Sequence, residues 1–262
     1  MSGLTLFVAS FAVLVANPQE RPRCAPIPGA EALWTHPGLR FVLVGEMHGT
    51  KETPAIFADL VCSARTTKRT VIAALEFRDQ HAVDASLGTE PRQARMKALL
   101  STEEWKGSDG RASQAMLALL ERLRSLEAEG VLSRVIAFSA SGHSGAQDEQ
   151  AMASALLTKS ASDLDALIIV LTGNLHAAKK PLLEAVPYPP MGAFLPPAQT
   201  ISLLVTDLGG EAWNRQNGTC GPHRLASSGG AHRGITLVSP HAGYDGVLST
   251  GVAATSSKPA SR

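Results

Sequence analysis

The sequence predicts an α/β domain in which a mixed, largely parallel central sheet lies between two layers of helices. Apolar runs of strand length alternate with segments of helical periodicity, and the strand segments are apolar on both faces. Three of these runs end close to a carboxylate or an imidazole. The chain has 262 residues and no internal repeat, so we expect a single domain.

The predicted elements follow in the order strand, helix, strand, helix. The first strand, at about 40–46, leads into a helix that Thr53 caps and Pro54 begins. The other predicted elements are a strand at 70–75, a helical region at 79–100, a helix at 112–129, a strand at 134–138, a helix at 147–159, a strand at 166–172, a short helix from Asn174, and late strands at 200–206 and 234–239. This alternation indicates right-handed crossovers between parallel strands.

The two ends of the chain are expected to lie outside the domain, which is predicted to span 34–245. Residues 1–16 include an uncharged apolar segment too short to span a bilayer comfortably, and they are interpreted as a signal peptide, with a buried N-terminal helix as the alternative. The protein is then secreted or periplasmic, without an integral membrane span after processing. Residues 17–33 carry four prolines and predict a linker, and the small polar residues of 246–262 predict a flexible tail.

Charge and cysteine content restrict the kinds of partner. The 24 basic and 23 acidic residues form no block of like charge, which argues against nucleic acid as a ligand. A small-molecule or peptide substrate is therefore the expected partner. Cys24, Cys62 and Cys220 allow one disulfide in three alternative pairings, and the sequence leaves the pairing open.

Four polar side chains follow predicted strands at one edge of the sheet. Glu46 and His48 follow the first strand, Glu76 follows the second, and His176 follows the fourth in a Gly-x-x-His frame that matches the frame of His48. Because the carboxyl ends of parallel strands meet at one edge, we expect these groups to converge. They are candidates to ligate a divalent metal ion or to divide general-base and electrostatic roles around a bound water. Each alone is explained by an ordinary element end, but four together favour a site.

Four further side chains are candidates for substrate binding. Arg78 stands two residues beyond Glu76 and is placed to bind an anionic substrate group, although a surface arginine is an equal interpretation. The segment 186–197 has too many prolines for a regular element and too many apolar residues for a solvated loop. It is interpreted as a flap that brings Tyr188, Met191 and Phe194 over the pocket.

A serine hydrolase is a lower-ranked alternative. Ser141-Gly-His-Ser144-Gly-Ala146 follows a predicted strand and precedes a predicted helix, the context of a nucleophile elbow. Asp207 and either His232 or His241 follow in the chain order of a triad. Ala146 stands where the last glycine of the motif is usual, and a plain polar loop explains the same residues.

The motifs around these residues resemble a known superfamily. They are Gly45-Glu46-Met47-His48-Gly49-Thr50, Leu75-Glu76, Gly173-Asn174-Leu175-His176 and Pro190-Met191-Gly192. With them, residues 40–205 resemble the superfamily that joins erythromycin-esterase-like enzymes, ChaN-type haem-binding lipoproteins, and the Tiki and TraB membrane-associated proteins. The resemblance implies an α/β fold with a mixed sheet and a site made of Glu46, His48, Glu76 and His176. The segment Glu149-Gln-Ala-Met152-Ala153 also looks like a family motif, although Asp148 stands where an arginine is common.

Members of this superfamily differ in activity, so the resemblance implies more than one function. Some look like esterases that use histidine as a base, some like divalent-metal peptidases, and some bind haem. The Gly-Glu-x-His-Gly-Thr form favours a hydrolase in which His48, supported by Glu46 or Glu76, activates water directly or through a metal bound with His176. The alternative is a ChaN-like protein that binds haem or a metal complex without catalysis, with an apolar lining from Met191 and Phe194.

Overall fold

The computed structural model describes residues 24–140, 142, 144–238 and 241–261, so the expected signal peptide lies outside the described residues. The helices are α1 (Ala30–Trp34), α2 (Glu52–Ser63), α3 (Gln80–Leu87), α4 (Arg92–Leu100), α5 (Gln114–Ala128), α6 (Ala146–Lys159) and α7 (Asn174–Ala177). The strands are β1 (Phe41–Glu46), β2 (Val71–Leu75), β3 (Arg134–Ala137), β4 (Leu167–Gly173), β5 (Thr200–Thr206), β6 (Leu208–Gln216), β7 (Thr219–Ser227), β8 (Gly234–Thr236) and β9 (Gly246–Ser249). Among the described helices, none combines the length and the hydrophobicity needed to span a bilayer.

Seven of these strands form the central sheet, in the order β3-β2-β4-β1-β5-β9-β8. All neighbouring strands are parallel except β8 and β9, which are antiparallel. The predicted α/β fold with a mixed, largely parallel sheet is therefore confirmed. Strands β6 and β7 pair with each other as a separate antiparallel hairpin.

The side chains of the central strands alternate between two hydrophobic cores, as the period of two along a strand requires. On one face, Val42 and Val44 of β1 pack with residues of α2 and α5. On the other face, Phe41 and Leu43 pack with residues of α6. The sheet is thus covered on both sides, which explains why its strands read as continuous apolar runs in the sequence.

The sheet order places the carboxyl ends of three strands side by side. Strand β4 lies between β2 and β1, and Glu46 at the end of β1 is paired in register with Gly173 at the end of β4. Glu76 directly follows β2. The groups that the sequence placed at strand ends therefore meet at the centre of one edge.

The end of the chain differs from the expected flexible tail, because residues 246–249 form strand β9 in the central sheet. Beyond this strand, Ser257 is almost completely buried and its backbone N–H donates to the Gly49 carbonyl at 2.8 Å. Ser256 and Pro259 form isolated bridges with residues of the main domain. The flexible-tail prediction is wrong because small side chains carry no hydrophobic pattern, whereas their backbone pairs closely with other segments.

The segment before the domain also departs from its prediction. Residues 17–23 lie outside the described residues, but from Cys24 onward the chain belongs to the fold rather than to a linker that ends at 33. Ile27 and Leu33 are buried in the core. Cys24 forms a disulfide with Cys62 of α2, which resolves the pairing that the sequence left open, and Cys220 is free. The disulfide closes a loop with a sequence separation of 38.

Candidate functional site

The first component of the candidate site is a carboxylate and imidazole pair at the end of β1. His48 Nδ1 lies 2.9 Å from Glu46 Oε1. Glu46 is 5% exposed and the His48 side chain is 23% exposed, so the carboxylate is buried beneath the ring. With Nδ1–H donating to this carboxylate, Nε2 of His48 is left as the proton acceptor.

The second component repeats this arrangement with residues from two other elements. His176 Nδ1 on α7 lies 2.8 Å from Glu149 Oε1, in the first turn of α6. The other oxygen of Glu149 accepts the backbone N–H of Met191 at 2.7 Å. The segment around Met191 therefore holds the carboxylate that orients His176.

Glu76 lies between the two imidazoles. Its Oε2 accepts hydrogen bonds from the Thr172 hydroxyl and from the Gly173 backbone N–H, both at 2.7 Å. His48 Nε2 lies 3.8 Å from Oε2, and His176 Nε2 lies 3.9 Å from Oε1. These last distances exceed a direct hydrogen bond, but they are short enough for a charge interaction between each imidazole and the carboxylate.

Gly173 forms the floor of the space between the two rings. A methyl group at this position would lie 3.1 Å from His48 Nε2, 3.3 Å from His176 Cδ2 and 3.6 Å from Glu76 Oε2. The absence of a side chain here leaves room for a small atom or group in contact with all three. A water or another small group in this space would contact both histidines.

An arginine and an aspartate that the sequence did not single out complete the site. Arg111 Nη1 lies 3.5 Å from Glu76 Oε1, and its Nη2 donates to Asp109 Oδ2 at 2.8 Å. Both residues lie in the loop before α5. The only signal in the sequence is a charged pair around Gly110, and this pair does not follow a predicted strand.

Burial and neighbouring charges shift the pKa values of these groups in different directions. Burial raises the pKa of Glu46, and the hydrogen bond from His48 offsets only part of this effect. Burial alone would lower the pKa of His48 and His176, but the hydrogen bond of each to its carboxylate and the charge of Glu76 outweigh it, so both pKa values are raised. For Glu76, burial acts to raise the pKa, yet the two histidines and the bonds from Gly173 and Thr172 leave it lowered. Glu76 therefore stays ionised while the imidazoles keep protons to higher pH than a free histidine.

The site opens into a cleft of about 530 Å³. One wall is the end of strand β6, and Met47, which is 41% exposed, offers an apolar surface. The residues lining the cleft are Met47, His48, Glu76, Asp109, Arg111, His176, Asn214, Arg215 and Gln216. A small molecule can therefore reach the two histidines from solvent.

The structure brings the four predicted catalytic residues, Glu46, His48, Glu76 and His176, into one site, but it places the predicted substrate-binding residues elsewhere. Arg78 is exposed and its backbone N–H donates to the Glu104 carboxylate. The chain turns after Glu76, so Arg78 does not reach the site. The arginine that lies beside Glu76 is Arg111.

The predicted flap is a supporting wall. Met191 is completely buried, and Phe194 packs against the same core cluster. Tyr188 is half-buried and its ring lies beside Gly145. Met191 contributes its backbone N–H, which donates to Glu149. Its apolar side chain is buried because the proline-rich segment packs onto α6.

Neither Met191 nor Phe194 supplies the lining expected for haem. Haem binding stays a prediction that the Soret band in a haemin titration tests.

The donor atoms do not fit a metal ion held by Glu46, His48, Glu76 and His176 together. Glu46 is engaged by His48 Nδ1, and both oxygens of Glu76 face hydrogen-bond donors. Within the described ranges, no group of three or more His, Cys, Asp or Glu side chains is arranged to hold a metal. Metal binding stays a prediction.

The structure gives no support to the serine alternative. Ser144 is exposed in the loop before α6, and it makes no hydrogen bond to any histidine among the described residues. Asp207 Oδ1 accepts the Gly209 backbone N–H at 2.8 Å, which fixes this carboxylate in the turn before β6. His232 is exposed. Labelling of Ser144 by a fluorophosphonate probe is the measurement that tests this alternative.

Comparisons with solved structures find the same fold in proteins of low sequence identity. A mutant of the erythromycin esterase EreC in its open conformation has a TM-score of 0.61 and 11% identity, with coverage of 88% of this chain and 94% of that one. A Bacillus cereus protein has a TM-score of 0.55 and 12% identity over 85% and 90% of the two chains. A succinoglycan biosynthesis protein has a TM-score of 0.53 and 11% identity over 73% and 72%.

These similarities concern the fold, which is an α/β fold like that of the erythromycin esterase neighbour. No protein-family profile matches the chain, and no curated protein sequence matches it.

Proposed function

We propose that the protein is an exported hydrolase that activates water with His48 for attack on an ester or amide carbonyl. The observation that carries the proposal is the pair of carboxylate-bound imidazoles that face Glu76 across a gap of 3.8–3.9 Å. An erythromycin esterase with the same fold supports the reaction class. The open cleft supports a small-molecule or peptide substrate.

Each side chain has a role that follows from its contacts. Glu46 holds Nδ1–H of His48, so Nε2 takes a proton from water while the water oxygen bonds to the carbonyl carbon. Arg111 stabilises the negative charge that develops on the carbonyl oxygen. When the bond to the leaving group breaks, protonated His176, oriented by Glu149, donates its Nε2 proton to that group. Exchange with solvent then restores the two protonation states.

The pH dependence of hydrolysis tests this assignment. His48 must be neutral and His176 protonated, so kcat/KM should follow a bell-shaped curve, measured on a panel of aliphatic and aryl esters. Because the Glu46 hydrogen bond and charge raise the pKa of His48, Glu46→Gln should move the acidic limb to lower pH and lower the maximum by about 10–100-fold. Glu149→Gln should instead move the alkaline limb to lower pH, because it removes the partner that raises the pKa of His176.

Two controls make this experiment decisive. His48→Ala should reduce kcat/KM by about 100-fold or more, whereas dialysis against EDTA should leave the wild-type rate unchanged if water is activated directly. If the folded wild-type protein hydrolysed no ester in the panel, or if His48→Ala were fully active, the proposal would be abandoned. Identical pH profiles for wild type and Glu46→Gln would remove His48 as the base.

We further propose that the mature protein lies outside the cytoplasm. The Cys24–Cys62 disulfide supports this placement, because disulfides persist in oxidising compartments. N-terminal sequencing of the protein purified from its native host should begin at Asn17, and thiol titration should leave only Cys220 reactive. A chain that begins at Met1 with three reactive thiols would contradict export.

A further inference from the structure

One buried polar side chain in the cleft wall has no part in the proposed mechanism. Asn214 of β6 is 7% exposed, and its Oδ1 is buried and has no hydrogen-bond partner among the described residues. Its partner across the hairpin is Gly221, which has no side chain to offer. A buried acceptor without a partner costs roughly 1–3 kcal/mol of stability, so its presence in a structure calls for an explanation.

The position of Asn214 on the hairpin excludes an ordinary surface role. Residues 212, 214 and 216 share one face of β6, since side chains alternate along a strand. Ala212 is completely buried against the domain, Asn214 keeps only 7% of its surface exposed, and Gln216 is exposed. A buried position on such a face usually carries an apolar residue, so an asparagine here gives up stability that an apolar side chain would provide.

Backbone contacts fix Asn214 close to the reacting groups. The neighbouring Trp213 donates its backbone N–H to the Gly49 carbonyl at 2.9 Å, one residue from His48. The Trp213 indole N–H donates to the Ser108 carbonyl at 3.1 Å, in the loop that carries Asp109 and Arg111. Asn214 consequently lines the same cleft as both catalytic histidines.

We propose that Asn214 binds an amide group of the substrate adjacent to the scissile carbonyl, so the substrates are peptide-like esters or amides. This inference rests on the proposed hydrolase function. A carboxamide offers one acceptor and two donors, and a secondary amide offers the complementary N–H and C=O. Asn214 Oδ1 then accepts the substrate N–H. Binding satisfies a buried acceptor that has no partner among the described residues, and a substrate without the N–H leaves it unpaired.

A matched pair of esters tests the inference. N-acetylglycine methyl ester carries the N–H, and N-acetyl-N-methylglycine methyl ester lacks it. The wild-type protein should prefer the first by about tenfold or more in kcat/KM, as expected for loss of one buried hydrogen bond. Asn214→Ala should abolish this preference by slowing only the first ester. Glu211→Ala, at an exposed residue of β6 outside the cleft lining, should retain the preference.

A binding measurement separates this inference from the proposed function. The dimethylamides of the same two compounds are added to wild-type protein labelled with ¹⁵N, and the Asn214 side-chain signal is identified by its absence in Asn214→Ala. The N–H compound should shift this signal and the N-methyl compound should not. A selective shift without hydrolysis of either ester would overturn only the hydrolase function. Equal hydrolysis of the two esters, equal shifts, or no shift would overturn the role of Asn214.

Discussion

Gly173→Ala should abolish hydrolysis while leaving the fold intact. The backbone at Gly173 has φ −57° and ψ 144°, which alanine adopts without strain. The added methyl group would instead occupy the space between the imidazoles, 3.1 Å from His48 Nε2. Water or substrate would lose that position, and even a displacement of about 1 Å at a reacting centre can cost about 100-fold, so we expect kcat/KM to fall by at least this factor.

The control for this variant is Gly221→Ala, because no atom of the described residues lies within 4 Å of the methyl group that it would add. Both variants should unfold within a few degrees of the wild-type protein, measured by circular dichroism. Only Gly173→Ala should be inactive on the esters that the wild-type protein hydrolyses. A fully active Gly173→Ala protein would show that the reaction does not take place between the two histidines.

The sequence predicts the strand ends of this site because their positions follow from local pattern and topology alone. Strands covered on both faces are continuous apolar runs, and parallel strands with right-handed crossovers deliver their carboxyl ends to one edge. Glu46, His48, Glu76 and His176 follow such strands, and the structure brings them together. Their catalytic roles stay predictions.

Residues that reach the site from other elements are harder to find, because tertiary packing decides where they lie. Glu149 comes from the first turn of α6 and Arg111 from a loop, so no strand pattern marks them. Arg78 is close to Glu76 in sequence, but the turn of the chain after β2 leaves it exposed. Met191 was expected over the pocket because of its apolar side chain, whereas its contribution is a backbone N–H.

The hairpin and the end of the chain show the same limit. Strands β6 and β9 carry short or polar sequences, and their positions depend on backbone contacts with distant segments. The carbonyl of Gly49 accepts backbone N–H groups from Trp213 and from Ser257, at 2.9 and 2.8 Å. One glycine next to His48 therefore joins the end of β1, the hairpin and the C-terminal segment.

We therefore expect Gly49→Ala to be the most destabilising single methyl addition in this region. Gly49 has φ +83°, and an added Cβ would lie 1.8 Å from the Trp213 carbonyl oxygen. Because that oxygen belongs to the backbone, the hairpin must move. Left-handed φ costs about 1–2 kcal/mol for alanine, and overpacking adds about 1–3 kcal/mol, so the free energy of unfolding should fall by roughly 2–5 kcal/mol.

Gly130→Ala measures the cost of the left-handed backbone without the steric contact that Gly49→Ala adds. Gly130 also has positive φ, +71°, but in the part of the chain that the structure describes no atom lies within 4 Å of the Cβ that alanine would add. In urea unfolding this variant should lose only about 1–2 kcal/mol. If Gly49→Ala does not fold, Gly110→Ala provides the second measurement, because its Cβ would lie 2.2 Å from the same carbonyl oxygen. Equal stability of the Gly49→Ala and Gly130→Ala proteins would mean that the hairpin does not constrain the loop that carries His48.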